Sequence, residues 1–196
     1  MIISKSFKHG WYYWFRYDIE KLRTHTMSEL ADPISLYFDA IDACPHVYFC
    51  QGPRASSLRK PRLYVRRIRH PLTKFTEYGK KVYQERFSSN HSRVEMFLLE
   101  NDLDSVAVEV PVWFEEEESE RYGFSYPLTG HIDLMRLTDK IEVWDYKPNA
   151  DRERYASTQV YWYVMMFSHR LGIPIENFRC GYFDENACYL VDLGSL

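Results

Sequence analysis

Residues 129–148, TGHIDLMRLTDKIEVWDYKP, constrain this chain more than any other stretch. Two arms, Gly130 to Leu137 and Ile141 to Lys147, alternate apolar and polar residues and are joined by Thr138-Asp139-Lys140. That pattern predicts an antiparallel hairpin with a three-residue turn. With Asp139 at its centre, positions whose numbers sum to 278 face one another: Leu137 meets Ile141, Met135 meets Val143, and Asp133 meets Asp145. Lys147 falls on the same face, because strand side chains alternate with period two. Opposed Cβ atoms lie about 4.5–5.5 Å apart, where like charges are destabilising. The alternative is a solvated face, which Met135, Leu137, Ile141 and Val143 argue against. A buried face needs a counter-charge, and a divalent cation with oxygen ligands supplies one.

A length of 196 residues fits one domain with a real core. No run of eighteen apolar residues predicts a membrane helix, and the amino terminus lacks the apolar stretch and small-residue cleavage site of a signal peptide. Four cysteines in a chain of this size do not make a disulfide framework. An intracellular, cytoplasmic location is therefore expected.

The net charge of −3 hides an asymmetry: residues 54–81 hold ten Lys or Arg and one acid, giving +9 and leaving −12 elsewhere. Arg59, Lys60, Arg62, Arg66, Arg67 and Arg69, followed by Lys80 and Lys81, are interleaved with prolines and Tyr64. Such a segment suits a nucleic-acid backbone.

Along the chain, residues 11–31 are expected to be partly helical, and Asp32-Pro33 to start a helix that runs to about Ala43. Residues 62–69 read as a short strand or an extended arm. Thr73 to Phe87 forms a helix burying Phe75, Tyr78, Val82 and Tyr83, and a second helical piece runs from His91 to about Asn101. VAVEVPVWF, residues 106–114, is a strand whose Pro111 argues for an edge or a bulge, with Val106, Val108, Val110 and Val112 on one face. The acids at 115–120 read as a solvated loop. Tyr155 to Leu171 is a helix burying Val160, Tyr163, Val164, Phe167 and Leu171, closed by Gly172 and Pro174. A last hairpin turns about Asp184-Glu185-Asn186.

Three pieces occur in order on these elements: Gly130-His-Ile-Asp133, Asp145-Tyr-Lys147 and Gln159-x-x-x-Tyr163. Together they resemble the PD-(D/E)xK nuclease superfamily, in its RecB-like branch of RecB and AddB nuclease domains and CRISPR-associated RecB-like exonucleases. The likeness covers about Val106 to Val191. It implies an α/β fold with a restriction-endonuclease-like core: a mixed central β-sheet flanked by helices. Residues 73–196 would form that core and 1–72 a helical and basic amino-terminal extension within a single domain.

The same resemblance implies a Mg²⁺- or Mn²⁺-dependent hydrolase of phosphodiester bonds. It would act as an exonuclease or endonuclease on single-stranded DNA or DNA ends, in repair, recombination, CRISPR-related or viral DNA processing. Asp133, Asp145 and the Tyr146 carbonyl would hold the metal, Lys147 would act on water and phosphate, and Gln159 and Tyr163 would position the site. The upstream ligand is the weak point. Relatives often carry G-x-x-x-H on a helix, whereas Gly79 is followed by Tyr83, and a phenol protonated near neutrality is a poor ligand. Glu109, in a VEVP-like strand, is the first choice, with His91 and Glu95 as alternatives. His131, predicted opposite Lys147, is a further phosphate-contact candidate. Some relatives hold an iron–sulfur cluster, but the cysteines here fall two and two with no C-x-x-C, so none is expected. No membrane partner is expected, and a homo-oligomer or a repair partner is compatible with the sequence. The rival reading is a catalytically weak nuclease-fold subunit that binds DNA within a larger complex.

Overall fold

The structure, a computed structural model, describes residues 1–25, 28–51, 54–55, 58 and 63–194, without the side chains of 28 and 51. Arg59, Lys60 and Arg62 lie outside the described residues. The strands are β1 (Ile2–His9), β2 (Trp11–Asp18), β3 (Val65–Ile68), β4 (Ser105–Phe114), β5 (Leu128–Leu137), β6 (Ile141–Tyr146), β7 (Phe178–Phe183) and β8 (Cys188–Val191). The helices are α1 (Ile19–Thr24), α2 (Ser28–Asp39), α3 (His46–Gln51), α4 (Leu72–Val82), α5 (Asn90–Asn101), α6 (Glu116–Glu120) and α7 (Ala156–Leu171).

The eight strands form one mixed sheet in the order β1-β2-β4-β5-β6-β7-β8-β3. Among the described strand pairs only β6–β7 is parallel, and α7 supplies the crossover that a parallel pair needs; an isolated parallel bridge also joins Arg54 to Thr129. Two apolar cores hold helices against the sheet. In the first, Ile34 and Phe38 of α2 and Val160, Val164 and Phe167 of α7 meet Met135, Leu137, Ile141 and Val143. In the second, Leu72 of α4 and Val94 and Leu98 of α5 meet Val108, Leu134, Trp144 and Phe183. The protein is thus α/β, a mixed sheet flanked by helices. Among the described residues no helix is long and apolar enough to cross a membrane.

The central hairpin takes the expected register, with Leu137 opposite Ile141 and Met135 opposite Val143. Elsewhere the structure corrects the sequence reading. Residues 11–18 are a strand, turned back from β1 at Gly10, whose φ of 80° suits glycine. The extension is therefore not simply helical: it supplies β1, β2 and β3. Helix α2 starts at Ser28, a turn before Asp32-Pro33, because Leu30 and Ala31 are themselves buried in the first core. Helix α4 buries Leu72, Thr76 and Gly79, while Tyr78 and Val82 are exposed, because α5 packs across its small residues. The acids at 116–120 form one helical turn, α6, with a capping box between Glu115 and Glu118.

The last hairpin is offset by one residue from expectation. Asp184 Oδ1 accepts from the N–H groups of Asn186 and Ala187, making a longer turn that pairs Phe183 with Cys188. Cys180 consequently packs in the first core and Cys188 in the second. Pro111 is not on an edge strand. β2 pairs with β4 only at Arg16–Val108 and Tyr17–Ala107, so the missing Pro111 N–H costs no ladder bond on that side.

Candidate metal centre

The β5–β6 ladder ends at the Leu134–Trp144 pair, and the site opens at the next positions. Asp133 Oδ2 accepts from the Tyr146 N–H at 2.9 Å and lies 3.2 Å from His91 Nε2 on α5. Asp145 Oδ1 accepts from Gln159 Nε2 of α7 at 3.1 Å, and its Oδ2 lies 2.7 Å from Lys147 Nζ. Two helices from different cores thus converge on two facing strand residues.

One glycine makes that convergence possible. A Cβ on Gly130 would fall 2.2 Å from Cε1 of Tyr163, so only glycine leaves room for that ring. Tyr163 in turn accepts from Gln159 Nε2 at 2.6 Å, and the same amide reaches Asp145. Gly130, Tyr163, Gln159 and Asp145 form one chain of contacts that links the three sequence pieces.

Glu109 enters the site through a break in strand alternation. Val108 and Leu134 belong to the second core, whereas Val110 and Ile132, two residues on in each strand, belong to the first. Between these positions, with the β4–β5 register unchanged across it, sits Glu109 with φ 53°, a left-handed conformation that costs a non-glycine residue about 1–3 kcal/mol. The four valines of this strand therefore do not share one face, and Glu109 lines the pocket instead.

The pocket has a volume of about 290 Å³. Glu109, His91, Asp133, Lys147, Gln159 and Tyr163 share it with Tyr13, Phe49 and Arg54 from the amino-terminal segment. In and beside it the carboxylates of Glu95, Glu109, Asp133 and Asp145 act on one another. Burial and the Asp133 charge push Asp145 up to about 7, against the pull of Lys147. The same two causes push Glu109 up to about 8. Glu95 is driven well above the carboxylate range by burial and Glu109. Asp133 goes the other way: burial raises it, but His91, Lys147 and the Tyr146 N–H outweigh burial and hold it low. Burial pulls Lys147 down, yet Asp145 and Asp133 outweigh it and keep the ammonium charged.

Ligand atoms of His91, Glu95 and Asp133 all lie within 4.8 Å of one another. Glu95 is 5% exposed, and its Oε1 has no hydrogen-bond partner among the described residues. A buried carboxylate oxygen without a partner is costly, and a cation is the natural complement. The donor set therefore fits a divalent ion: carboxylates suit Mg²⁺ and Mn²⁺, and the imidazole favours a transition ion.

This geometry reorders the upstream ligands. His91 and Glu95, the alternatives, group with Asp133, while Glu109, the first choice, lines the wall outside that group. Tyr83 is remote from the site: its hydroxyl donates to Glu100. Gly79 serves helix packing, since a Cβ there would meet Phe97 Cβ at 2.8 Å.

The basic residues are dispersed. Lys80 pairs with Glu185 at 2.5 Å and Lys81 with Glu77 at 2.7 Å. Arg66, Arg67 and Arg69 lie on or beside β3 at the sheet's edge, although Arg67 occupies the same ladder row as Asp145 through Tyr182 and Tyr189. His131 is buried, stacked on Tyr13 at 3.8 Å, with Nε2 2.9 Å from His9 Nδ1. Lys147 is not paired to it; its N–H donates to Phe183 O on β7. The sequence reading missed Tyr13, Phe49 and Arg16, whose charge acts on Glu95 and Glu109. Arg54 belongs to the basic segment and bonds Tyr13 Oη at 2.5 Å and His9 O at 2.9 Å, which only the fold reveals.

A scan against protein-family models and searches of curated proteins and of solved structures found no match to this chain.

Proposed function

We propose that the protein is a metal-dependent nuclease of the PD-(D/E)xK type, acting on DNA strands or ends. The observation that carries this reading is the contact network that joins Asp145 to Lys147 and, through Gln159, to Tyr163 beside a polar pocket lined by Asp133, Lys147, Gln159 and Tyr163. His91, Glu95, Asp133 and Asp145 would hold Mg²⁺ or Mn²⁺, with Glu109 and the Tyr146 carbonyl beside them. When bound, the ion would supply charge neutralisation at the phosphate and lower the pKa of water.

The remaining chemistry belongs to the side chains. Lys147, kept protonated, would donate a hydrogen bond to a phosphate oxygen or to the attacking water and offset developing negative charge. Gln159 fixes the Asp145 carboxylate, and Tyr163 fixes Gln159. Arg54, held over the Tyr13 ring at 5.3 Å, would place a guanidinium on the pocket wall, suited to a phosphate.

The test is cleavage of end-labelled linear and closed circular single- and double-stranded DNA with Mg²⁺ or Mn²⁺. Cleavage should require the metal and fall by about 10⁴-fold, roughly 5.5 kcal/mol, in Asp133→Asn and Lys147→Ala. Wild-type-like cleavage by either variant would contradict the reading. Salt-dependent DNA binding without cleavage by the wild type would favour the binding-subunit alternative.

A further inference from the structure

A second cluster of metal-ligating groups lies on the amino-terminal side of the pocket. His9 ends β1, Cys44 follows the 3₁₀ turn Ile41–Ala43, and His46 opens α3. His9 Nε2 lies 3.0 Å from His46 Nδ1 and 3.8 Å from Cys44 Sγ, and the three ligand atoms are all within 4.8 Å of one another. We propose that His9 Nε2, Cys44 Sγ and His46 Nδ1 form a zinc site that fastens the amino-terminal hairpin to α3 beside the catalytic pocket.

The three groups hydrogen-bond to one another, and their separations also come near those that a metal would set. With Zn–N near 2.05 Å and Zn–S near 2.3 Å, a tetrahedral centre places two nitrogens about 3.3 Å apart and nitrogen and sulfur about 3.6 Å apart. The observed 3.0 and 3.8 Å differ from these by a few tenths of an ångström. A thiolate with two imidazoles is a borderline-soft set, suited to Zn²⁺ and unlike the carboxylate-rich pocket next door.

The surroundings also have the form of a built site. Ligating histidines usually donate their other ring N–H to a fixed acceptor. His9 Nδ1 lies 2.9 Å from His131 Nε2, so a His9 ring bound through Nε2 donates there. The His9 ring is held flat against Phe49, centroids 4.0 Å apart, with Phe7 stacked at 5.3 Å. His9 and Cys44 are buried while His46 is exposed, which gives an ion its way in and leaves the fourth position to water. On binding, the Cys44 thiol releases its proton to solvent and the thiolate sulfur donates to the ion.

The linkage reaches the pocket. His131 precedes Asp133 by two residues on β5, and it stacks on Tyr13, a pocket wall. Zinc would therefore order the wall formed by Tyr13, Phe49 and His131. Cys50 lies one turn after His46, but its Sγ contacts Lys8 O and stands outside the ligand group, so it serves as the control.

The experiment is a Co²⁺ titration of the full chain after metal removal, with Mg²⁺ in excess, followed by optical absorption. Wild-type protein should bind one Co²⁺ with tetrahedral d–d bands and a thiolate-to-cobalt charge-transfer band, both erased by one equivalent of Zn²⁺. Cys44→Ser should lose the charge-transfer band. His46→Ala, a change at an exposed residue, should weaken binding by at least about tenfold. Cys50→Ser and Asp133→Asn should keep the band, which separates this site from the nuclease proposal. No thiolate band in wild type, a band surviving in Cys44→Ser, or its loss in Cys50→Ser would overturn the assignment.

Discussion

The two ends of the β5–β6 hairpin both bury carboxylates, and they treat them oppositely. At the turn end, Arg136 is 5% exposed and bonds Asp102 at 2.8 Å, Asp104 at 2.9 Å and Glu142 at 2.6 Å. Arg179 adds contacts to Glu142 at 2.6 Å and Asp139 at 3.0 Å. Burial raises Glu142, but the Trp144 indole N–H and the two arginines outweigh it and hold the carboxyl below its ordinary range. At the open end, Glu95, Glu109 and Asp145 all sit above theirs. At the turn end every acid is held by arginine, whereas at the open end Asp133 is held low by His91 and Lys147 while Asp145 and its neighbours Glu95 of α5 and Glu109 of β4 stay raised.

The largest effect that sharpens this contrast is on folding. Arg136→Met would strand Asp102 and Glu142 and should cost about 3–5 kcal/mol in urea denaturation. Asp145→Asn should cost less, because the lost pairing with Lys147 is offset by relief of the repulsion with Asp133. Equal losses at the two ends would erase the distinction.

Gly130→Ala is a smaller probe of the open end. Displacing Tyr163 should cost about 1–3 kcal/mol of stability through overpacking. It should also slow cleavage by about 10²-fold by disturbing the Gln159–Asp145 contact. A variant with unchanged kinetics would show that the glycine serves only packing.

The smallest effect is on pH dependence. Acids whose folded pKa is raised bind protons more tightly folded than unfolded, so in EDTA stability should fall as pH rises from about 4 toward the values near 7 and 8 of Asp145 and Glu109. Glu142 has the opposite sign: its contribution is present above its unfolded value of about 4.3 and is lost as pH falls through its folded pKa. Thermal melts in EDTA should therefore decline from pH 5 to 8, and saturating Mn²⁺ should flatten that decline. A flat EDTA profile would break the comparison.

How much of this was legible depended on whether the signal was local. The hairpin register and the buried Val160, Tyr163, Val164 and Phe167 of α7 follow from alternation, helical spacing and turn length within about twenty residues. The β1–β2 hairpin was hidden because Trp11, Tyr12 and Trp14 are exposed while Phe15 and Tyr17 are buried, so the aromatic run shows no clean period. The α4 face was only half legible: Phe75 and Tyr83 pack partly against the second core, but Tyr78 and Val82 are exposed because Thr76 and Gly79 are the positions that fit α5. His91 escaped preference because helix docking, not sequence spacing, brings it to Asp133. The strained Glu109 backbone, likewise, is set by where β2 stops pairing with β4.

We propose that the open end of the hairpin holds a divalent ion and the turn end does not. Calorimetric titration of Mn²⁺ into metal-free wild type and Asp133→Asn tests it most directly. Saturable binding to the wild type, with loss of that event in Asp133→Asn while both remain folded, is the predicted result. Identical isotherms for the two proteins would contradict it.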